Sequence, residues 1–173
     1  YLKCFDLPCK LMQTPETLRL AAYNLCTELK DKGYIYAEIR FAPQKHTDCG
    51  MSQDEVVKAV ISGIKKSHFK AGLILCCMRG SDNETDNLET VRIAKKYLGK
   101  TVCAVDLAGA EALYDNEKFS RVFETAKIDN IPFTIHAGEA AGAVSVRKAV
   151  EFGACRIGHG VRAAEDLSVV SLL

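Results

Sequence analysis

Phe133-Thr134-Ile135-His136-Ala137-Gly138-Glu139 is the stretch on which the fold turns. Its aromatic and β-branched start reads as a strand. It ends on an imidazole, two small residues and a carboxylate. A second element of the same kind, Arg156-Ile157-Gly158-His159-Gly160, sets another histidine between glycines at the end of a short apolar run. Two of the chain's four histidines therefore stand at strand ends. That placement points to a metal-assisted hydrolytic site.

Working outward, residues 34–41, 73–78, 101–107, 132–136 and 155–158 read as strands rich in Val, Ile, Phe, Tyr or Cys. The later ones are apolar throughout, as parallel strands covered on both faces should be. Helical patterns lie between them. Thr14-Pro15 opens the first, with Leu18, Ala21, Ala22, Leu25 and Leu29 on one stripe and Gly33 closing it. Ser52 and Glu55 form a capping box for the second. Further helices are expected over 87–96, 116–128 and 143–152, with a last run from Asp166.

The repeat of about 30 residues is that of a βα unit, which fits either an open doubly wound sheet or a (β/α)8 barrel. Polar residues decide between them. Glu38 and Arg40, Arg79, Asp106, His136 with Glu139, and His159 all fall near the C-terminal ends of strands. Convergence of several strand ends on one site is the barrel arrangement. No G-x-G-x-x-G follows the first strand, which argues against a dinucleotide-binding sheet. The expected fold is thus α/β, part of a TIM (β/α)8 barrel in one domain over 1–173. A complete barrel has eight strands and about 250 residues, so five strands leave open edges and invite self-association.

Bulk properties narrow the function. With 173 residues, 48% apolar and 26% charged, the chain is globular. A net charge of +1 offers no footprint for nucleic acid. No apolar run approaches the ~18 residues of a membrane span, and no secretory signal opens the chain. The first residue is Tyr1, so an upstream segment is expected. The eight cysteines form no C-x-x-C pair and are expected to be small buried thiols in a reducing, cytoplasmic compartment.

A neutral imidazole such as His136 suits zinc, and Ala137 and Gly138 leave room beside it. Glu139 stands where a carboxyl can exchange a proton with a substrate ring nitrogen. His159, between glycines, can orient or deprotonate a water. Blander roles stay open at each position. His136 can be a hydrogen-bonded core histidine, Glu139 a carboxylate favoured by a helix start, Gly158 and Gly160 a turn, and Asp106 a helix-capping acid. Glu38 and Arg40 can pair inside the barrel. His46 and His68 are expected at the surface.

These residues resemble adenosine deaminase of the bacterial type, within the zinc amidohydrolase superfamily. The resemblance runs through Tyr1-Leu2-Lys3-Cys4-Phe5-Asp6, Tyr36-Ala37-Glu38-Ile39-Arg40-Phe41-Ala42-Pro43, Leu75-Cys76-Cys77-Met78-Arg79, Val105-Asp106-Leu107-Ala108-Gly109, Ile135-His136-Ala137-Gly138-Glu139 and Arg156-Ile157-Gly158-His159-Gly160, in the family's order. It implies that His136 is a ligand of Zn2+ and that Glu139 protonates purine N1. It implies that His159 positions and deprotonates the attacking water and that the Gly109 backbone meets purine N3. Leu2 and Phe5 resemble a lid helix over the pocket (a lid-like segment over 1–10), and Met78 a pocket wall. The strands would be the second to the sixth of the barrel. The implied reaction takes adenosine or deoxyadenosine to inosine or deoxyinosine and ammonia, in cytoplasmic purine salvage.

The chain departs from the family pattern in four places. No His-x-His pair matches the two zinc ligands of the family's first strand, and no Asp pair matches the one on its last, which supplies another ligand and a contact to N7. Ala110 stands where the family often has Asp, and Gly80 where it commonly has His. One imidazole cannot hold catalytic zinc alone, so the chain by itself is expected to be inactive. Adenine or another aminopurine is the alternative substrate. A non-catalytic binding or assembly module is the alternative function.

Overall fold

The computed structural model describes residues 2–173, apart from the side chain of Leu2. Five strands appear in chain order: β1 (Ala37–Phe41), β2 (Ala71–Met78), β3 (Val102–Ala108), β4 (Phe133–Ala137) and β5 (Arg156–His159). They form one sheet in the order β1-β2-β3-β4-β5, and every neighbouring pair is parallel. Among the described residues seven α-helices accompany them: α1 (Asp6–Leu11), α2 (Pro15–Asp31), α3 (Gln53–Ser67), α4 (Glu84–Tyr97), α5 (Ser120–Ile128), α6 (Ala143–Glu151) and α7 (Leu167–Val170).

Local signals in the sequence account for the helix starts. The Thr14 hydroxyl accepts from Thr17 N at 3.2 Å, with Pro15 in the first turn of α2. Ser52 and Glu55 close their capping box ahead of α3. Gly33, at φ +83°, follows α2 as the left-handed stop.

One sheet face packs against the helices. Leu73, Leu75 and Cys77 of β2, Val105 and Leu107 of β3, and Phe133, Ile135 and Ala137 of β4 join Val56, Val57, Val91, Ile93, Val122 and Phe123 in the core. The alternate residues face the other side, and they carry the polar groups: Glu38, Arg40, Asp106, Thr134, His136 and Arg156. That face is concave. Arg156 of β5 reaches Glu38 of β1 at 2.6 Å. Four strand spacings in a flat sheet are roughly 19 Å, too far for these two side chains to bridge. A strand order without reversal has no switch point of the doubly wound kind. The sheet is a curled part of a (β/α)8 barrel, as expected.

Several expectations need correction. β1 begins at Ala37, where it first meets β2 at Ala71, so Tyr34, Ile35 and Tyr36 form an exposed lead-in. Glu38 and Arg40 do not pair with each other. Being two apart on one strand they share a face, and each reaches across the concavity to a different partner. Residues 116–119 form a 3-10 turn ahead of α5 rather than its first turn. His46 is buried, with Nδ1 2.8 Å from the Met12 carbonyl, and burial pushes its pKa down. His68 is exposed as expected. Cys26, Cys76 and Cys77 are buried thiols, but Cys4 and Cys49 are exposed, and so is Cys155, which borders the edge strand β5. Among the described residues no helix is long and apolar enough to cross a membrane.

Candidate active site

The site is built where β3, β4 and β5 end. Register places Asp106 beside Thr134, and His136 beside Gly158. The Asp106 carboxylate is 2.8 Å from His136 Nδ1, accepts from the Thr134 hydroxyl at 2.6 Å, and lies 3.4 Å from Arg40 Nη1. Burial alone would raise its pKa. The His136 hydrogen bond and charge, the Thr134 hydroxyl and the Arg40 charge outweigh that, so the net shift is downward and Asp106 stays a carboxylate.

A carboxylate on Nδ1 selects the tautomer with its proton there and leaves the Nε2 lone pair available. Arg40 Nη1 lies 3.5 and 3.3 Å from the two ring nitrogens, so it stands over the ring face and not on the Nε2 lone pair. A neutral imidazole held in this way by a carboxylate has the chemistry that zinc takes as a ligand. Among the described residues no group of three or more His, Cys, Asp or Glu side chains is arranged to hold a metal. This chain offers His136 with its carboxylate support as one candidate ligand.

His159 and Glu139 complete the cluster. The rings of His136 and His159 are 5.2 Å apart, and His159 Nε2 is 3.4 Å from Glu139 Oε2. Both side chains are a little over a third exposed, so they can meet a substrate. His159 holds φ +65°, a conformation rare outside glycine. Gly158 lets the strands close here: a Cβ on it would sit 3.3–3.4 Å from His136. Gly138, at φ +73°, makes the turn between His136 and Glu139, and a Cβ on it would lie 2.6 Å from Val146 Cγ2.

Of the remaining expected residues, Gly109 and Met78 stand together beside Arg79. Gly109, at φ +110°, follows β3 with Met78 Cε 3.4 Å from where its Cβ would be. Phe5 is half exposed, in the turn Leu2–Phe5 that leads into α1. The chain after α1 is tied to the loop that follows β1, because Gln13 Nε2 donates to the Lys45 carbonyl. The lid expectation at Leu2 concerns a side chain outside the described residues.

Sequence reasoning set Asp106 and Arg79 among the converging strand ends without finding their partners, and it missed Glu111. Asp106 is not a helix cap but a buried strand residue that orients His136. Its facing position on β3 was the available signal. Arg79 is buried, donating from Nη2 to the His136 carbonyl at 2.7 Å and to Asn116 Oδ1, and from Nη1 to the Tyr114 carbonyl. Glu111, buried after Gly109, gathers the backbone that follows His136. Nothing in the sequence distinguished it from a surface acid.

The family model described as adenosine deaminase matches residues 1–173. The chain is 53% identical to adenosine deaminase of Haemophilus ducreyi, covering all of this chain and 53% of that protein. It is 39% identical to that of Clostridium perfringens, with the same coverage. It therefore spans about half the length of the curated relatives it matches. Among solved structures, a zinc-bound amidohydrolase from Burkholderia ambifaria superposes with TM-score 0.85 at 20% identity, over 92% of this chain and 45% of that one. An adenine deaminase from Arthrobacter aurescens gives 0.79 at 25%, over 96% of this chain and 53% of that one. By the family model over its whole length and by these curated relatives, the chain belongs to the adenosine deaminase family.

Proposed function

We propose that the full-length protein hydrolyses adenosine or deoxyadenosine to inosine or deoxyinosine and ammonia, as a step of purine salvage. The observation that carries this reading is the meeting of His136, supported by Asp106, with His159 and Glu139 at one end of the sheet. His136 Nε2 would hold zinc, which when bound supplies Lewis-acid activation of water. Glu139, in its acid form, donates a proton to purine N1 while the water oxygen adds to C6. His159 takes a proton from that water. With N1 protonated, C6 accepts the new C–O bond; His159 returns its proton to the 6-amino nitrogen, the C6–N bond breaks to release ammonia, and the hydroxyl proton passes back to Glu139 as the C6 carbonyl forms. One water is consumed, so atoms and charge balance.

The Gly109 backbone would meet purine N3, Met78 would wall the ring, and Leu2 and Phe5 would form part of a lid over residues 1–10. The free cysteines suit a reducing, cytoplasmic setting. The chain by itself supplies one imidazole for zinc and is expected to be inactive. It is also expected to associate through the open edges β1 and β5, and a monodisperse monomer would count against that.

The test is an ultraviolet assay of the zinc-loaded full-length protein with adenosine, and with adenine in parallel. Loss of adenosine with release of ammonia supports the reading. Turnover of adenine alone replaces the substrate, and turnover of neither overturns it.

A further inference from the structure

The four consecutive amides of residues 138–141 lie in the turn between β4 and α6, where no strand or helix partner is available to them. The residue before α6, Gly142, contributes no side-chain cap. All four amides donate instead to one buried carboxylate. Glu111 Oε1 accepts from Gly138 N at 2.7 Å, and Oε2 accepts from Glu139, Ala140 and Ala141 N at 3.0, 2.7 and 3.1 Å. The Ser145 hydroxyl adds a fifth donor to Oε1 at 2.6 Å. An array of backbone N–H groups at a helix start is a natural anion cradle, and here the anion is internal.

We infer that Glu111 is a positioning residue for the reaction, holding the turn after His136 so that the Glu139 side chain faces His159 and the substrate. The inference rests on the deaminase reading above. Glu111 is 5% exposed and its oxygens are already engaged, so it acts through the backbone and not on substrate. Arg79 holds the other side of the same strand end through the His136 carbonyl. Between the two, the backbone on either side of Ala137 is fixed, and Glu139 inherits its direction. Burial would raise the Glu111 pKa, but the Ser145 hydroxyl and the amides outweigh it and keep the group charged. Misplacement of a catalytic group by about 1 Å can cost roughly 100-fold in rate.

The experiment uses the zinc-loaded full-length protein with Glu111→Gln, and with Glu111→Asp as the variant that keeps the charge. Amide hydrogen exchange and steady-state kinetics with adenosine are both read. In Glu111→Gln, exchange at residues 138–141 should quicken at least about tenfold while Leu107 and Ile135 stay protected. Its kcat should fall roughly 100-fold with KM within about threefold. Glu111→Asp should recover part of both. If Glu111→Gln does not fold, Glu111→Asp must still show both changes, in smaller degree. Slow exchange retained at the four amides overturns the inference. So does faster exchange with unchanged kcat, or faster exchange spread evenly over the strands. If the parent protein does not turn over adenosine, the deaminase reading fails, and the exchange data still decide whether Glu111 holds the turn.

Discussion

The Asp106 carboxylate lies 2.8 Å from His136 Nδ1, across the neighbouring strands β3 and β4. Asp106 has no solvent-exposed side-chain surface, so the hydrogen bond is made in a medium that screens it weakly. Its consequence is chemical. A carboxylate there favours the neutral tautomer with its proton on Nδ1, which would leave the Nε2 lone pair for a metal.

Asp106→Asn should therefore weaken zinc binding by the full-length protein roughly 10- to 100-fold, the usual cost of losing such a support. The measurement is zinc retention against a competing chelator, compared with the parent. The same chelator curve for both proteins would show that His136 needs no carboxylate behind it.

Glu139→Gln keeps the size of the side chain and removes its acidic proton. Because Glu139 is well exposed, stability should change little. Turnover of adenosine by the full-length protein should fall roughly 10²- to 10⁴-fold, the usual contribution of a positioned acid or base. A variant with near-parental kcat would remove Glu139 from the chemistry.

The fold was largely legible because its signals are local. Thr14, Pro15, Ser52 and Glu55 mark helix starts, and the apolar runs around Leu75, Val105 and Ile135 mark strands. His136, Glu139 and His159 were legible by residue type at strand ends. What stayed hidden depends on curvature and on distant partners. Arg156 and Glu38 meet only because the sheet curls. Glu111 finds its donors in a turn that follows a different strand. His46 looked like a surface residue because its neighbours in sequence are polar, yet the segment after α1 folds over it.

Gly138→Ala tests the turn from the steric side. The residue holds φ +73°, and a Cβ would meet Val146 Cγ2 at 2.6 Å. Val146 is fully buried and cannot move aside freely. The strained backbone alone costs about 1–3 kcal/mol, and the contact adds to it. Urea unfolding of the full-length variant should show a lower midpoint with an unchanged slope. An unaltered midpoint would mean that the turn relaxes without cost.

Asp54 provides a pH signature of stability away from the site. It lies in the first turn of α3 and is bonded by Lys96 and Tyr97 of α4 and by Lys58 one turn on. Partial burial would raise its pKa, but hydrogen bonds from Lys58, Lys96 and Tyr97 outweigh that and lower it from 3.8 to about 2. A carboxylate with a depressed folded pKa stabilises the fold above its unfolded pKa, and that stabilisation is lost as pH falls through the folded value. The contribution should be complete at neutral pH, fade from about pH 4 downward and vanish near pH 2. Both lysines are about half exposed, so solvent screening limits Asp54→Asn to a loss of about 1 kcal/mol at pH 7. Thermal unfolding of parent and variant across this range should converge as the pH drops. A gap between them that stays constant down to pH 2 would assign the effect of the substitution to packing or helix capping instead of charge.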